Sequence, residues 1–452
     1  MRYATIPRSM ARLARRVTPL VAQALTSSRT RDLRRWLAER RRRIRGEPHR
    51  ILYFHQVDDP YGLLAAQLLD RIAERYDVEI VPHLVGPPPD SAAPDRARLE
   101  VFALRDAADV APGYGLAFPR GAASPDAALA ARATAIVARC TSCPAFGEVA
   151  VRVGFALWSG DSGALDALAR ELGSADARDV QAQLDAGSRL RERLGHYLGA
   201  MLYYGGEWYW GVDRLGHLER RLQSLGLLRA GASRDPIAPR PSVSQRPSSH
   251  SSNGLALEFY PSLRSPYTYI AMERVYALAR RYPVELVLRP VLPMVMRGLA
   301  VPSAKRFYIT LDTKREAEDA GVSFGRVCDP VGRPVERAFS LYPWAKKSGR
   351  AAELLLSFTR AAFAEGVDTG SDAGMQLVVE RAGLSWSEAR EHLDGESWRP
   401  ELEENRLAML GLGLWGVPSF CLRNDDGAAL YSTWGQDRLW RVEQEIQRQL
   451  AL

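Results

Sequence analysis

The sequence predicts an α/β protein made of two tandem repeats of one domain. WGVDRL at residues 210–215 matches WGQDRL at residues 434–439. Earlier in the chain, DPYG at residues 59–62 precedes SPYT at residues 265–268 by 206 residues. At the same spacing, Arg75-Tyr76 matches Arg281-Tyr282. Motifs that recur in matched order at both ends of a segment predict a duplicated domain.

Each repeat opens with a strand, a helix and a second strand. In the second repeat, residues 255–260 form a short apolar and aromatic run, which is typical of a strand. Apolar residues then recur at helical spacing from Tyr269 to Ala279, and residues 284–288 form the next strand. The first repeat follows the same order over residues 51–82. Two strands joined by a helix predict a right-handed βαβ unit.

A long helical segment separates this opening from a closing hairpin and final helix. Apolar residues at helical spacing predict helical insertions at about residues 88–190 and 300–405. The second repeat then ends in a strand, a turn, a strand and a helix over about residues 437–450. Each domain is therefore predicted to have a βαβ start, a helical insertion and a ββα end.

The composition divides the chain into four parts. Residues 1–50 are predicted to be a basic, Arg-rich N-terminal extension, and residues 51–227 the first domain. Residues 228–254 are rich in Pro and Ser, so we expect a flexible linker there. Residues 255–452 then form the second domain.

The positive charge is concentrated at the N-terminus. The net charge of the chain is +8, but residues 1–50 contain 15 Arg and three acidic residues, a net charge of +12. The rest of the chain therefore carries −4, which does not favour a nucleic-acid-binding body. One interpretation of the basic segment is a solvated, partly helical extension. The other is a weak contact with an anionic surface, either phosphates or a membrane.

Cysteine content and apolar runs indicate the class of protein. Four cysteines in 452 residues argue against a disulfide-stapled secreted protein, and no secretory signal or apolar run of membrane-spanning length is present. We therefore expect a cytoplasmic protein without a transmembrane segment. Cys140 and Cys143 form a CxxC, but it follows a helix-like stretch and has no second ligand pair at zinc spacing. No metal site is predicted.

Four motifs of the second repeat resemble those of one family. They are SPYTYIA at residues 265–271, YITLDTKREA at 308–317, GVPSF at 416–420 and WGQDR at 434–438. In this order they resemble 2-hydroxychromene-2-carboxylate isomerases and kappa-class glutathione transferases, in the DsbA-like group. The resemblance implies two tandem thioredoxin-like (DsbA-like) domains, each with a helical insertion. The first would be degenerate, and the chain would be a pseudo-dimer in itself.

Ser265 is the predicted catalytic residue. Disulfide oxidoreductases of this fold have a cysteine there, at the start of a helix that stabilises its thiolate. SPYT replaces the CPxC pattern, so no redox dithiol is present. A hydroxyl donor at a helix N-terminus is suited to stabilise an incoming thiolate. The resemblance implies that this thiolate belongs to glutathione. The alternative is that Ser265 only caps the helix.

The resemblance also implies the residues that bind glutathione. Val417-Pro418 would be the family's cis-proline turn, with the Val417 backbone pairing the cysteinyl part of glutathione. Asp437, with Arg438 beside it, would hold the γ-glutamyl end, although an Asp in the first turn of a helix also has a purely structural explanation. Ser262 departs from the family, which usually has Asp at that position.

Further residues bear on the substrate and on the first repeat. Lys305 and Arg306 are candidates to meet a substrate carboxylate, although exposed basic residues before a helix are common. In the first repeat Asp59 takes the place of Ser265, and Ala200 aligns with Pro418. A carboxylate at the position of Ser265 would repel a thiolate, so the first repeat is interpreted as structural or regulatory.

The resemblance implies a glutathione-dependent enzyme. Its reaction would be cis–trans isomerisation by reversible addition of the glutathione thiolate to a conjugated alkene, on an aromatic or unsaturated carboxylate. A kappa-like glutathione transferase or thiol oxidoreductase is one alternative. The other is a non-catalytic binding protein made of tandem thioredoxin-like domains.

Overall fold

The structure is a computed structural model that describes residues 8–244, 254–299 and 301–451. The contacts between residues divide the chain into two compact units. Asp32–Ser242 and Pro302–Tyr308 form one, which contains the first repeat. Met1–Arg31, Val243–Val301 and Ile309–Leu452 form the other, which contains the second repeat. We call them the first-repeat unit and the second-repeat unit and describe each by itself.

The N-terminal extension forms two helices, α1 (Arg8–Thr26) and α2 (Ser28–Ile44). In α1, the Thr26 hydroxyl lies 3.3 Å from the Gly325 carbonyl oxygen, within the second-repeat unit. In α2, the Arg35 guanidinium binds the Glu207 carboxylate, within the first-repeat unit. Residues 8–26 and 28–44 of the extension are therefore helical, and α1 and α2 each make a specific contact within one unit.

The first repeat is built around a four-stranded sheet. Its elements are β1 (Arg50–His55), α3 (Pro60–Arg75), β2 (Glu79–Leu84), α4 (Arg96–Val110), α5 (Ala127–Arg139), α6 (Phe146–Trp158), α7 (Ser162–Leu172), α8 (Ala177–Arg193), β3 (Met201–Tyr204), β4 (Glu207–Trp210) and α9 (Leu215–Ser224). The strand order is β2-β1-β3-β4. β1 is parallel to β2 and antiparallel to β3, and β3 forms a hairpin with β4.

The second repeat has the same arrangement. Its elements are β5 (Ala256–Tyr260), α10 (Pro266–Arg281), β6 (Glu285–Leu288), α11 (Ser303–Asp319), α12 (Arg333–Lys347), α13 (Ala351–Arg360), α14 (Asp372–Arg381), α15 (Trp386–His392), α16 (Arg399–Gly411), β7 (Ser419–Arg423), β8 (Ala429–Trp434) and α17 (Leu439–Leu450). The strand order β6-β5-β7-β8 repeats that of the first sheet. In both repeats the helical insertion lies between the second and third strands, as predicted.

Matched side-chain contacts confirm that the two folds are equivalent. The Tyr76 hydroxyl lies 3.0 Å from a Glu219 carboxylate oxygen, between the end of α3 and α9. In the second repeat Tyr282 makes the same contact with Glu443 of α17, at 2.9 Å. The fold class predicted from the repeated motifs, two thioredoxin-like domains with helical insertions, is therefore confirmed.

Alternation of side chains along the strands builds the core of the second repeat. Phe259 of β5 and Phe420 of β7 are fully buried, and their rings stack with centroids 5.5 Å apart. Phe339 of α12 and Phe358 of α13 are buried in the same cluster. Burying a side chain of this size contributes roughly 1.5–3 kcal/mol. The core therefore links the sheet to the insertion, which fixes the sheet end where β5 meets α10.

The predicted linker differs from expectation over its described part. The Arg229 N–H donates to the Arg75 carbonyl at 2.9 Å, and the Ile237 N–H donates to the Glu219 carboxylate at 3.0 Å. Ile237 is only 3% exposed. The segment up to about residue 238 is therefore packed on the first repeat. Residues 245–253 of the predicted linker lie outside the described residues.

Among the described residues, none of the helices has the length and apolarity needed to span a membrane.

Candidate functional site

Ser265 lies at the start of α10, after the loop that follows β5. Its backbone is extended, with φ −90°, and its Oγ accepts a hydrogen bond from the Thr268 N–H at 3.2 Å. Pro266 occupies the first helical position, where the absence of an N–H costs nothing. The Ser265 hydroxyl is thus half-buried at the partly positive end of a 16-residue helix. Ser265 therefore caps the N-terminus of α10. A helix N-terminus is also suited to bind an anionic ligand.

The Val417-Pro418 turn lies beside Ser265. The peptide bond between these residues is cis, as the sequence predicted. The Ser265 Oγ lies 3.5 Å from the Val417 carbonyl oxygen, although the residues are 152 positions apart. They meet because β5 pairs with β7, which places Tyr260 opposite Ser419. The structure therefore brings together three of the five predicted site residues.

Gly416 allows this turn to approach the closing hairpin. A Cβ atom added to Gly416 would lie 1.8 Å from Cε2 of Trp434. The indoles of Trp415 and Trp434 lie with centroids 5.3 Å apart. No side chain fits at position 416 without displacing Trp434. The requirement for glycine is therefore steric.

Asp437 and Arg438 follow the last strand in a short 3₁₀ turn, Gln436–Arg438. The Gly435 N–H donates to the Pro418 carbonyl at 2.8 Å, so this turn is bonded directly to the Val417-Pro418 turn. Asp437 is half-buried and accepts from the Gln436 side-chain amide at 2.5 Å, whereas Arg438 is only 3% exposed. Asp437 is thus the more accessible of the two predicted residues.

Gln436 is the centre of a buried polar cluster that the sequence did not reveal. Its amide oxygen accepts from Arg274 of α10 at 2.8 Å. Its amide nitrogen donates to the carboxylate of Glu316 in α11, also at 2.8 Å, and to Asp437. Gln436 and Glu316 are 1% and 2% exposed. We call Arg274, Glu316 and Gln436 the polar triad. Arg274 and Glu316 orient the Gln436 side chain, and Gln436 in turn orients the Asp437 carboxylate.

The loop before Ser265 is held by an ion pair. Both nitrogens of the Arg264 guanidinium fork bind the Asp329 carboxylate, at 2.7 and 2.6 Å. Ser262, where the family usually has Asp, is 2% exposed, and its Oγ has no hydrogen-bond partner among the residues that the structure describes. The carbonyl of Ser262 accepts from the Ser265 N–H at 3.0 Å. Position 262 therefore shapes the loop through its backbone.

Tyr267, two residues after Ser265, contacts the insertion. Its hydroxyl donates to Asp312 of α11 at 2.6 Å, and Arg315 donates to the same carboxylate at 2.7 Å. Asp312 is fully buried. In the first repeat the Tyr61 hydroxyl donates to Asp106 at 2.7 Å, across the same sequence separation. Because both repeats have this contact, we assign it to the fold.

The first repeat places a carboxylate where the second has Ser265. Asp59 caps α3 and accepts from the Tyr61 N–H at 3.0 Å. Burial raises the pKa of the Asp59 carboxyl from 3.8 to about 7. The Gly211 N–H donates to the Ala200 carbonyl at 2.9 Å, which repeats the bond from Gly435 to Pro418. The structure therefore supports the alignment of Ala200 with Pro418, and Ala200 has a left-handed φ of 52°.

Other candidates from the sequence have a structural explanation. The Lys305 ammonium donates to the Ala92 carbonyl at 2.8 Å and lies 5.8 Å from the centroid of the Tyr197 ring, within the first-repeat unit. Burial lowers the pKa of Lys305 to about 8. These contacts occupy Lys305 without a substrate carboxylate, whereas Arg306 is exposed. In the described part of the chain, no three His, Cys, Asp or Glu side chains are arranged to hold a metal ion.

Several solved structures of known proteins are similar to part of this chain. The 2-hydroxychromene-2-carboxylate isomerase structure is 23% identical, with a TM-score of 0.36, and the match covers 43% of this chain and 95% of that one. The cytosolic disulfide reductase DsbM from Pseudomonas aeruginosa, also solved with GSH, is 23% identical, with a TM-score of 0.32 and coverage of 43% and 99%. A probable DsbA oxidoreductase from Streptomyces coelicolor is 20% identical, with a TM-score of 0.34 and coverage of 43% and 90%. A comparison with curated proteins found no match.

The family match is specific to one part of the chain. The DSBA-like thioredoxin domain family matches residues 256–447, from the first strand of the second repeat into its last helix. This segment contains Ser265, Val417, Pro418, Asp437 and Arg438. Residues 256–447 of this chain are therefore a DsbA-like thioredoxin domain.

Proposed function

We propose that the second repeat is a glutathione-dependent enzyme, an isomerase of the 2-hydroxychromene-2-carboxylate isomerase type. The observation that carries this proposal is the position of the Ser265 hydroxyl, half-buried at a helix start and beside the Val417 carbonyl. When bound, glutathione would supply a thiolate that adds reversibly to a conjugated alkene. The substrate would be an aromatic or unsaturated carboxylate.

The hydrogen bonds of Ser265 fit a thiolate ligand. The Thr268 N–H fixes the Oγ as an acceptor, which leaves the hydroxyl proton for another partner. The Val417 carbonyl, at 3.5 Å, is at the outer limit of a hydrogen bond. Redirecting the proton to a thiolate would exchange a weak bond for a charge-assisted one. This donation would lower the pKa of the bound thiol.

The residues around Ser265 favour this chemistry over dithiol exchange. Thr268 stands where a CxxC motif would have its second cysteine, and its side chain is fully buried. Neither position 265 nor position 268 holds a sulfur that forms a mixed disulfide. The thiol oxidoreductase alternative would therefore need a different nucleophile from the one its fold normally provides.

The closing hairpin would hold the rest of the ligand. We assign the Val417 backbone to the cysteinyl part of glutathione, and Asp437 to the γ-glutamyl amino group, whose positive charge a carboxylate complements. Gln436 fixes the Asp437 carboxylate at 2.5 Å, so it needs little reorganisation on binding. Arg438, largely buried next to it, would contribute through position and charge.

Ser265→Ala tests the proposal directly. In the full chain we expect glutathione-dependent isomerisation of 2-hydroxychromene-2-carboxylate, followed by absorbance, to fall by about ten- to a hundredfold. This corresponds to the loss of one charge-assisted hydrogen bond, roughly 1.5–3 kcal/mol. Circular dichroism should show an intact fold. The pKa of bound glutathione, read from thiolate absorbance, should rise in the variant.

Asp59→Ala in the first repeat is the matched control and should change the rate little. Loss of turnover in Asp59→Ala but not in Ser265→Ala would place the chemistry in the other repeat. If calorimetry detects no glutathione binding to the wild-type chain, the proposal fails. Accumulation of a stable glutathione adduct without isomerised product would favour the transferase alternative.

A further inference from the structure

The polar side of α2 faces the body of the first-repeat unit. Arg35 binds both carboxylate oxygens of Glu207 in β4, at 3.1 and 3.2 Å. Arg42 binds Glu39 within α2 and also donates to the Glu47 carbonyl at 2.6 Å. A surface helix usually packs an apolar side against the protein. Here charged groups hold the helix in place.

The opposite side of α2 is apolar and exposed. Leu33, Trp36, Leu37 and Ile44 are 55%, 53%, 39% and 75% exposed. At 100° per residue these four positions and Arg40 fall within one arc of about 100°. Eight of the twelve exposed large hydrophobic side chains in the described part of the chain lie between residues 17 and 44. The four exposed side chains of α2, Leu33, Trp36, Leu37 and Ile44, which we call the α2 apolar face, indicate a surface that is covered by a partner.

The charges around the α2 apolar face indicate an anionic partner. Arg40 lies on the face, with its guanidinium 5.2 Å from the centroid of the Trp36 ring, and Arg41 lies at its edge. Both are exposed, and neither has an acidic partner in the part of the chain that the structure describes. The helix has two acidic residues: Asp32 lies eight residues before Arg40, and Glu39 is neutralised by Arg42 and Arg43, which hold its pKa at about 2.

A second copy of the chain is a poorer partner for this face. Pairing about a two-fold axis places the same patch on both subunits. The arginines of two α2 apolar faces would then meet each other, and like charges at an interface disfavour association. An anionic lipid surface satisfies both features, since it accepts apolar side chains at the acyl boundary and arginines at the phosphates.

We propose that α2 lies on the surface of an anionic lipid bilayer and attaches this protein to it. Leu33, Trp36, Leu37 and Ile44 would enter the boundary between headgroups and acyl chains. Arg40 would extend its guanidinium from the apolar face to a lipid phosphate, as long basic side chains do at membrane surfaces. Trp36 is of the residue type that favours this interface.

Sedimentation with lipid vesicles tests the proposal. The full chain should partition onto phosphatidylcholine vesicles that contain about one-third phosphatidylserine, and much less onto phosphatidylcholine alone. Leu33→Ser/Trp36→Ser should weaken partitioning at least about tenfold. Arg40→Gln/Arg41→Gln should weaken it by roughly 25-fold at low salt, from about fivefold per arginine. Added salt should reduce wild-type binding and should affect the arginine variant less.

Leu377→Ser/Leu407→Ser is the matched control, because these exposed leucines lie in the insertion of the second repeat. This variant should partition like the wild type, and all the variants should keep glutathione binding. Equal partitioning onto vesicles without phosphatidylserine would overturn the proposal. So would self-association that Trp36→Ser abolishes in a chain that binds no vesicles, which would make α2 an interface between copies.

Discussion

The two repeats have the same strand order in their sheets, but they differ in the buried side chains next to the candidate site. Arg274, Glu316 and Gln436 form a buried polar triad in the second repeat. The matched positions of the first repeat hold the apolar residues Leu68, Val110 and Val212. These three are 2%, 0% and 5% exposed. The same fold therefore forms with either apolar or polar side chains at these three positions. The fold itself does not require the polar triad.

This comparison separates what the fold needs from what the site needs. Contacts present in both repeats, such as Tyr61 with Asp106 and Tyr267 with Asp312, belong to the fold. Groups present only in the second repeat, such as the polar triad around Gln436, cost desolvation and are expected to serve the site. The following predictions test this division.

The largest expected effect concerns the pH dependence of Asp59. The folded protein holds the Asp59 proton more tightly than the unfolded chain, because burial raises the pKa from 3.8 to about 7. The tighter binding of this proton therefore adds to the free energy of unfolding. The added free energy is fully present below about pH 4 and is lost as the pH rises through about 7. The loss is at most about 4 kcal/mol.

Asp59→Asn keeps the cap acceptor and removes this titration. The difference in unfolding free energy between the wild type and this variant should grow in favour of the variant from pH 4 to pH 7. Ser265→Ala should show no such trend, because serine does not titrate. A flat difference for Asp59→Asn would contradict a raised carboxyl pKa at this position.

Gln436→Val gives the second repeat the residue that the first repeat has at the matched position, Val212. It removes the bonds of Glu316 and Arg274 to Gln436 and should cost about 3 kcal/mol, measured as a shift of the unfolding midpoint in urea. Glutathione affinity should fall as well, since Asp437 loses the amide that fixes it.

The reciprocal variant, Val212→Gln, places an amide among apolar side chains and should destabilise the first-repeat unit without changing glutathione affinity. A neutral effect of Gln436→Val on both stability and affinity would show that the polar triad has no role in the site.

The smallest expected effects come from the matched pair Tyr267→Phe and Tyr61→Phe. Each removes one hydrogen bond to a buried carboxylate, and each should cost about 1–2 kcal/mol of stability. Tyr267→Phe should reduce the rate much less than Ser265→Ala. A large loss of rate with unchanged stability would instead move Tyr267 into the chemistry.

The sequence predicted those features that repeat or that belong to short motifs. The spacing of 206 residues placed Asp59 opposite Ser265, and the hairpin alignment placed Ala200 opposite Pro418; both agree with the structure. The β5–β7 pairing that joins Ser265 to Val417 follows from the predicted topology.

The polar triad was missed because its members are far apart in sequence and ordinary one by one. Gln436 is 162 residues from Arg274 and 120 from Glu316. A signal was nevertheless present, since aligning the repeats pairs each of these polar residues with a Leu or Val. The packing of Ile237 was missed because a Pro- and Ser-rich composition does not reveal single buried residues. The arginine content likewise obscured the apolar spacing on α2.

The apolar side chains of Leu68, Val110 and Val212 also limit which substitutions the first repeat can accept. Arginine at position 68, glutamate at 110 or glutamine at 212 would each introduce a polar group among apolar neighbours, with no partner to satisfy it. Glutamine at 212 would pair with arginine at 68 or glutamate at 110, as Gln436 does with Arg274 and Glu316, so the effects of these changes on stability should be strongly non-additive. A duplicated domain that exchanges such a cluster for leucine and valine therefore meets a barrier to reversal. Divergence between the repeats then becomes directional.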